Sequence, residues 1–225
     1  MKGEPIYVEH PRDSYSRMGG LQYVYFEIAQ EEYVKCLDVE AFDDGDLDEG
    51  EKTELFYKAT GHAVKAIVFS ALCVEASINN YAGIHLGDSY CENHLYSMDV
   101  ISKWVVIPKL VCGKSIDKSG PAFGALKRLI KARNKLVHNK SQEFDPTSIS
   151  DLGQYLEKRD KAFKDDFESS LRALYLMCME MDFVLGQMHN PIRTLDKEFN
   201  PCLDIPKQVK PLFDECKNII LKNHS

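Results

Sequence analysis

No stretch of this chain approaches the roughly 18 consecutive apolar residues that a membrane-crossing helix needs. Met1 to Tyr7 lack a basic-then-apolar signal pattern, so the expected location is cytoplasmic, with no membrane partner. There is no C-x-x-C pair. The seven cysteines (Cys36, Cys73, Cys91, Cys112, Cys178, Cys202 and Cys216) are dispersed and odd in number, which argues against a disulfide framework and against a structural zinc site. Cys73 and Cys178 lie in strongly apolar helical stretches, where a thiol behaves as a small hydrophobe. An overall excess of positive charge is missing too: 28 Lys and Arg face 35 Asp and Glu, a net charge of -7. A protein that covers long duplex nucleic acid over a wide face is normally basic, so any polyanion contact here is expected to be local. His62, His85 and His94 flank the first helices without H-E-x-x-H or facial-triad spacing, and no carboxylate cluster calls for an ion. No metal and no cofactor are expected. Gly113-Lys114-Ser115 echoes the tail of a phosphate-binding loop but lacks the preceding glycine pattern and strand.

What is present suits a folded protein. The 225 residues are 44% hydrophobic and 28% charged, enough for one domain with decorations. The charge is unevenly spread. Residues 1–60 carry a balance of -9, 61–111 are nearly neutral, 112–141 carry +7, and 142–225 carry -4. The basic block is either an ordinary solvated helix face or a local anion-binding surface.

Helical periodicity dominates the pattern, and the expected fold class is an all-α helical bundle. Residues 1–20 read as an irregular arm rich in tyrosine, proline and glycine. Residues 21–37 place Leu21, Val24, Tyr25 and Ile28 on one helical stripe, although Tyr23 and Tyr25 also permit a short strand. The stretch 38–54 is largely Asp, Glu and Gly and reads as an acidic loop. A long helix is expected over 55–82, apolar on nearly every side from Ala66 to Ile78, as befits the centre of a bundle. A short Gly83–Ser89 link leads to a second helix over 90–112, which Pro108 kinks or ends early. Trp104, Val105, Val106 and Ile107 pack core or a dimer seam.

A third helix, 121–138, begins with proline in its first turn. Helical periodicity continues over 148–189 through Phe163, Phe167, Leu171, Leu174, Cys178 and Met181, with Glu157 to Lys161 as a possible break. A last helix over 206–222 uses Val209, Leu212, Phe213, Cys216, Ile219 and Ile220. The expected division is an N-terminal arm and acidic loop at 1–54, a bundle at 55–189, and a C-terminal extension packing on it at 190–225.

The third helix carries the chemistry. With Ala122 set at zero and about 100° per residue, Leu126, Leu129, Ile130, Ala132, Leu136 and Val137 fall within about 80°. Arg133 lies at about 20°, inside that apolar stripe. Lys127, Lys131, Lys135 and His138 occupy the opposite face, with Asn134 on the boundary. A guanidinium stays charged, so it needs a carboxylate, a phosphate or carbonyl oxygens wherever it is buried. Two accounts are open. Arg133 pairs with a carboxylate on a neighbouring helix, for which Glu75 is the candidate, or it presents its fork to a phosphate. They are compatible if Glu75 orients Arg133 for that task. Arg133 and His138 diverge by about 140° on an ideal helix, so one helix does not easily aim both at one phosphate. Either the last turn unwinds at Asn139, or a second copy of the chain completes the site, which points to a symmetric homodimer.

Arg133-Asn134-Lys135-Leu136-Val137-His138 resembles the R-x4-6-H signature of HEPN (higher eukaryotes and prokaryotes nucleotide-binding) domains, in the form where a polar residue follows the arginine. The resemblance covers about residues 55–189. It implies a dimerising all-α bundle and a metal-independent endoribonuclease of toxin–antitoxin, abortive-infection or other antiviral defence systems, with RNA as substrate and an antitoxin or defence protein as partner. It also implies that Glu75, with Asn79 one turn later as a weaker companion, faces the motif from an earlier helix. In that reading His138 moves protons, Arg133 stabilises the charged phosphate oxygens, and Asn134 holds His138 or a phosphate oxygen. Lys127, Lys131 and Lys135 guide the RNA backbone. The product is a 2′,3′-cyclic phosphate. The rival is a non-catalytic nucleotide-binding or scaffold protein of the same type, with Arg133 and Glu75 as a structural pair. A third class, a small-molecule enzyme with an internal pocket, has no supporting motif.

Overall fold

A computed structural model describes residues 5–12, 17–42, 45–138 and 149–225, with side chains of the last segment from 152 onward. Among the described residues the regular structure is entirely helical. Seven α-helices follow one another: α1 (Gln22–Glu40), α2 (Glu49–Leu86), the one-turn α3 (Asp88–Tyr90), α4 (Val100–Cys112), α5 (Pro121–Val137), α6 (Ile149–Leu185) and α7 (Lys210–Asn223). A π-turn at Cys91–Leu95 and 3-10 turns at Gln187–His189 and Lys207–Val209 complete them. The two longest helices form the hub. α2 packs on α1, α4, α5 and α6, and α6 packs on α1, α2, α5 and α7.

Local chemistry sets the ends. Asp48 accepts a hydrogen bond from the Glu51 N–H at 2.8 Å, and the Glu51 carboxylate accepts from the Asp48 N–H at 3.0 Å. This reciprocal cap, with Glu49 and Glu51 facing the positive end of the helix, starts α2 six residues earlier than expected. Part of the acidic stretch 38–54 is therefore helix, because its carboxylates cap and favour a helix start. At the other end α2 runs through Gly83 to Leu86, so the expected Gly83–Ser89 link is shorter. A Cβ at Gly83 would meet the Arg17 guanidinium, the flexible end of a partly exposed side chain. The expected 90–112 helix is divided, because Asp99 accepts from the Ser102 N–H at 3.0 Å and starts α4 afresh. Pro108 sits inside α4, which continues to Cys112 and ends on Gly113 at φ +74°. Glu157 to Lys161 does not interrupt α6, whose charged residues there are good helix formers. The expected break from Asn139 to Pro146 lies outside the described residues.

One buried cluster joins all the large helices: Phe26 and Tyr33 of α1, Ile67, Val74 and Ile78 of α2, Trp104 of α4, Leu126 and Leu129 of α5, Leu171 and Leu174 of α6, and Phe213 and Ile220 of α7. α2 runs across residues 54 and 55, and α1 belongs to the same core. The side of α1 also differs from expectation. Leu21 and Val24 are exposed, whereas Gln22, Phe26, Ala29, Gln30, Tyr33 and Cys36 are buried. Hydropathy alone assigns glutamine to the surface, but Gln30 accepts a hydrogen bond from the Tyr175 hydroxyl at 2.7 Å and so tolerates burial.

α2 also contains an 18-residue window of mean hydropathy 1.4, long and apolar enough in composition to span a membrane. Half of that stretch is buried inside the fold. All seven cysteines are free thiols. Burial pushes the thiols of Cys73 and Cys36 up to about 12, which keeps them in the neutral, inert form.

Candidate functional site

α5 has the amphipathic character expected of it. Ala122, Leu126, Leu129, Ile130 and Ala132 are buried, while Lys127, Arg128, Lys131, Asn134, Lys135 and His138 are exposed. Val137 departs from the expected apolar stripe and is 57% exposed, since it falls in the last turn, at the end of the helix.

Arg133 projects towards α2. Its Nη2 donates to Glu75 Oε2 at 2.9 Å, and the two side chains retain 21% and 35% of their exposure. The pair is thus neither fully buried nor freely solvated. The Arg133 Nε–H is buried and has no hydrogen-bond partner among the described residues. One donor of the guanidinium is fixed by Glu75, and the Arg133 side chain as a whole keeps 21% of its exposure.

The other expected residues separate. Asn79 does not join Arg133: its Oδ1 accepts from Lys103 Nζ at 2.9 Å. Lys103, buried on α4, was not among the expected site residues, although a lysine inside the apolar run from Val100 to Val111 is an available signal. Lys135 is tied to Asp166 of α6 at 2.7 Å, so one cation of the basic face is locally neutralised. Lys127 sits over the Phe123 ring at 5.0 Å. Lys127, Lys131, Asn134 and His138 lie on the exposed side of α5.

His138 caps α5, its N–H donating to the Asn134 carbonyl at 3.0 Å. The helix therefore runs to Val137, and His138 sits just past it with φ -104° and ψ 26°. No hydrogen bond joins the two side chains among the described residues. Within one chain, Glu75 and Arg133 are brought together and His138 stands apart from them. Asn139, where unwinding was the other way to unite them, lies outside the described residues.

Of the other histidines, His62 Nδ1 contacts Glu32 at 2.7 Å, in a knot with Lys35 and Lys65. Burial alone would raise the Glu32 carboxyl, but the hydrogen bonds from His62, Lys35 and Lys65 outweigh it and hold the group at about 2. His94 packs on Tyr90. His85 meets His10 and His189, a grouping that no local spacing announces because the three come from distant segments.

Compared with protein-family models, curated proteins and solved structures, the chain matches none.

Proposed function

We propose that this chain is a HEPN-type, metal-independent endoribonuclease that acts as a homodimer. The observation that carries the reading is Arg133. It is a permanently charged fork on the packing side of a basic helix, gripped by Glu75 through one nitrogen and covered only in part. Such a group is oriented in advance for a phosphodiester, because Glu75 removes part of its rotational freedom before any anion arrives.

In the proposed reaction the ribose 2′-hydroxyl loses its proton to a base and its oxygen attacks the adjacent phosphorus. The bond to the 5′-oxygen breaks, that oxygen takes a proton, and the products are a 2′,3′-cyclic phosphate and a 5′-hydroxyl. His138 serves as the base or the acid, since an exposed imidazole can take up or give a proton at a ring nitrogen. Arg133 meets the charge on the non-bridging oxygens, Asn134 holds a phosphate oxygen or the imidazole, and Lys127, Lys131 and Lys135 guide the backbone. The helical geometry up to Val137 favours the dimeric form of this reading, in which Arg133 of one copy and His138 of the other share the phosphate. Val137, apolar and exposed beside His138, suits contact with that second copy. An antitoxin or another defence protein is the proposed partner.

The second reading is a non-catalytic nucleotide-binding or scaffold protein. The observation in its favour is the Arg133–Glu75 pair itself, which satisfies both charges without any ligand.

Single-stranded RNA incubated with wild-type protein, Arg133→Ala and His138→Ala, with and without chelator, separates the two. The nuclease reading expects chelator-resistant cleavage to a cyclic phosphate and a loss of at least about 100-fold in each variant. Equal activity in all three proteins, or no cleavage by a wild type that is folded, removes it.

A further inference from the structure

The C-terminal end of α2 holds a second constellation. His85 lies ten residues beyond Glu75, about 15 Å along the helix. It is met there by His10 of the N-terminal segment and His189 of the 3-10 turn after α6. One ring nitrogen from each of the three histidines lies within 4.8 Å of the other two. The His10 and His189 rings stack with centroids 3.8 Å apart, and His10 and His85 are 4.9 Å apart. His10 and His85 are buried and His189 is half-buried.

The segment that delivers His10 is built into the fold. The Ile6 N–H donates at 3.0 Å to Oε1 of Gln187, which opens the 3-10 turn that carries His189. Gly186, at φ +78°, has no side chain because a Cβ there would strike the Ile6 carbonyl. The Val8 carbonyl lies 2.9 Å from His10 Nδ1. A carbonyl oxygen only accepts, so Nδ1 carries the proton. The lone pair of the neutral ring is then on Nε2, where it accepts a hydrogen bond from the Tyr81 hydroxyl at 2.7 Å, a partner that a bound ion displaces. A backbone carbonyl that fixes the tautomer and leaves the far nitrogen basic is the outer-shell arrangement of a metal-ligating histidine.

We propose that His10, His85 and His189 form a site for a divalent transition metal ion of the zinc class. Three imidazoles and no carboxylate or thiolate suit an ion of borderline softness and disfavour Mg²⁺ or Ca²⁺, which take oxygen ligands. Tetrahedral coordination with bonds of about 2.0–2.1 Å needs ligand nitrogens about 3.4 Å apart, so the trio tightens on binding. The elements allow this: His85 is anchored on α2, whereas His10 and His189 ride on irregular segments that tilt more easily. Tyr81, His85 and His189 also line a cavity of about 540 Å³, with Gln187, Asn80 and Gln22 on its walls. Three protein ligands beside such a space leave the fourth position to water or a small anion, as in open rather than closed zinc sites. This inference does not depend on the nuclease reading, which uses Glu75, ten residues earlier on α2.

The test uses the full chain, freed of metal by chelator and gel filtration, and titrated calorimetrically with Zn²⁺. Co²⁺ is the spectroscopic probe, and Mg²⁺ the control. The expected result is one Zn²⁺ per chain, visible d–d absorption of four-coordinate Co²⁺, and no response to Mg²⁺. A hundredfold excess of Zn²⁺ over its dissociation constant raises the melting temperature by about 5–10 °C. His85→Gln and His189→Gln each weaken Zn²⁺ binding at least tenfold, whereas His62→Gln and His94→Gln do not. A wild-type chain that takes up no stoichiometric Zn²⁺ overturns the proposal, whatever the variants do. Stoichiometric binding that survives in folded His85→Gln and His189→Gln, as judged by circular dichroism, overturns it as well.

Discussion

Arg133 and Glu75 can be tested as a pair without any assumption about catalysis. Their charges sit about 4 Å apart, where the Coulomb attraction is about 4 kcal/mol at an effective dielectric of 20. Much of that is cancelled by desolvation, since the side chains have lost most of their water: 21% and 35% of their exposure remains. Fully exposed pairs are worth about 0.2–1 kcal/mol, and removing one partner of a fully buried pair costs about 3–5 kcal/mol. A pair between these limits should show a coupling of about 1–2 kcal/mol. The measurement is a double-mutant cycle of Glu75→Gln, Arg133→Met and the double variant, each unfolded in urea and followed by far-UV circular dichroism. Arg133→Met keeps the apolar stem of the side chain and removes the charged head, and the cycle subtracts the packing change that each single variant makes on its own. Glu75→Gln alone should cost more than the double change, because it leaves a half-buried guanidinium facing a neutral amide. A coupling below about 0.3 kcal/mol would show that the two groups do not sense one another and would refute the claim that Glu75 orients Arg133. If the coupling is present, RNA assays on Glu75→Gln then report whether orientation matters for cleavage.

Asp182 predicts a pH dependence. Burial pushes its carboxyl up to about 7, against the lowering effect of hydrogen bonds from Asn190 and Thr194. A group raised in the folded state contributes stability that is complete below its unfolded value near 3.8 and is lost as pH rises to about 7. Urea midpoints of Asp182→Asn should therefore gain on wild type steadily across that window, and a difference that stays level from pH 4 to 8 would remove Asp182 as the source. Gly186→Ala should destabilise the protein by about 1–3 kcal/mol, because alanine must adopt φ +78° and displace the Ile6 carbonyl. The same change should also speed proteolysis of the N-terminal segment, which limited digestion with mass spectrometry can follow.

The all-helical class, the central position of the apolar stretch from Ala66 to Ile78, and the faces of α5 were determined by the sequence itself. Each depends on periodicity within one helix, and a buried stripe must repeat at that period whatever packs against it. Glu75 as the partner of Arg133 was also legible, because a lone carboxylate in an apolar helix must find a cation somewhere. Other features depended on tertiary contacts. The buried side of α1 was decided by Tyr175, which offers Gln30 a hydrogen bond that no local pattern foretells. Asn79 turned to Lys103 because α4 brings an ammonium within reach. The meeting of His10, His85 and His189 was likewise a matter of how the N-terminal segment folds back over the ends of α2 and α6, since side chains far apart in the chain are joined only by the packing of the elements that carry them.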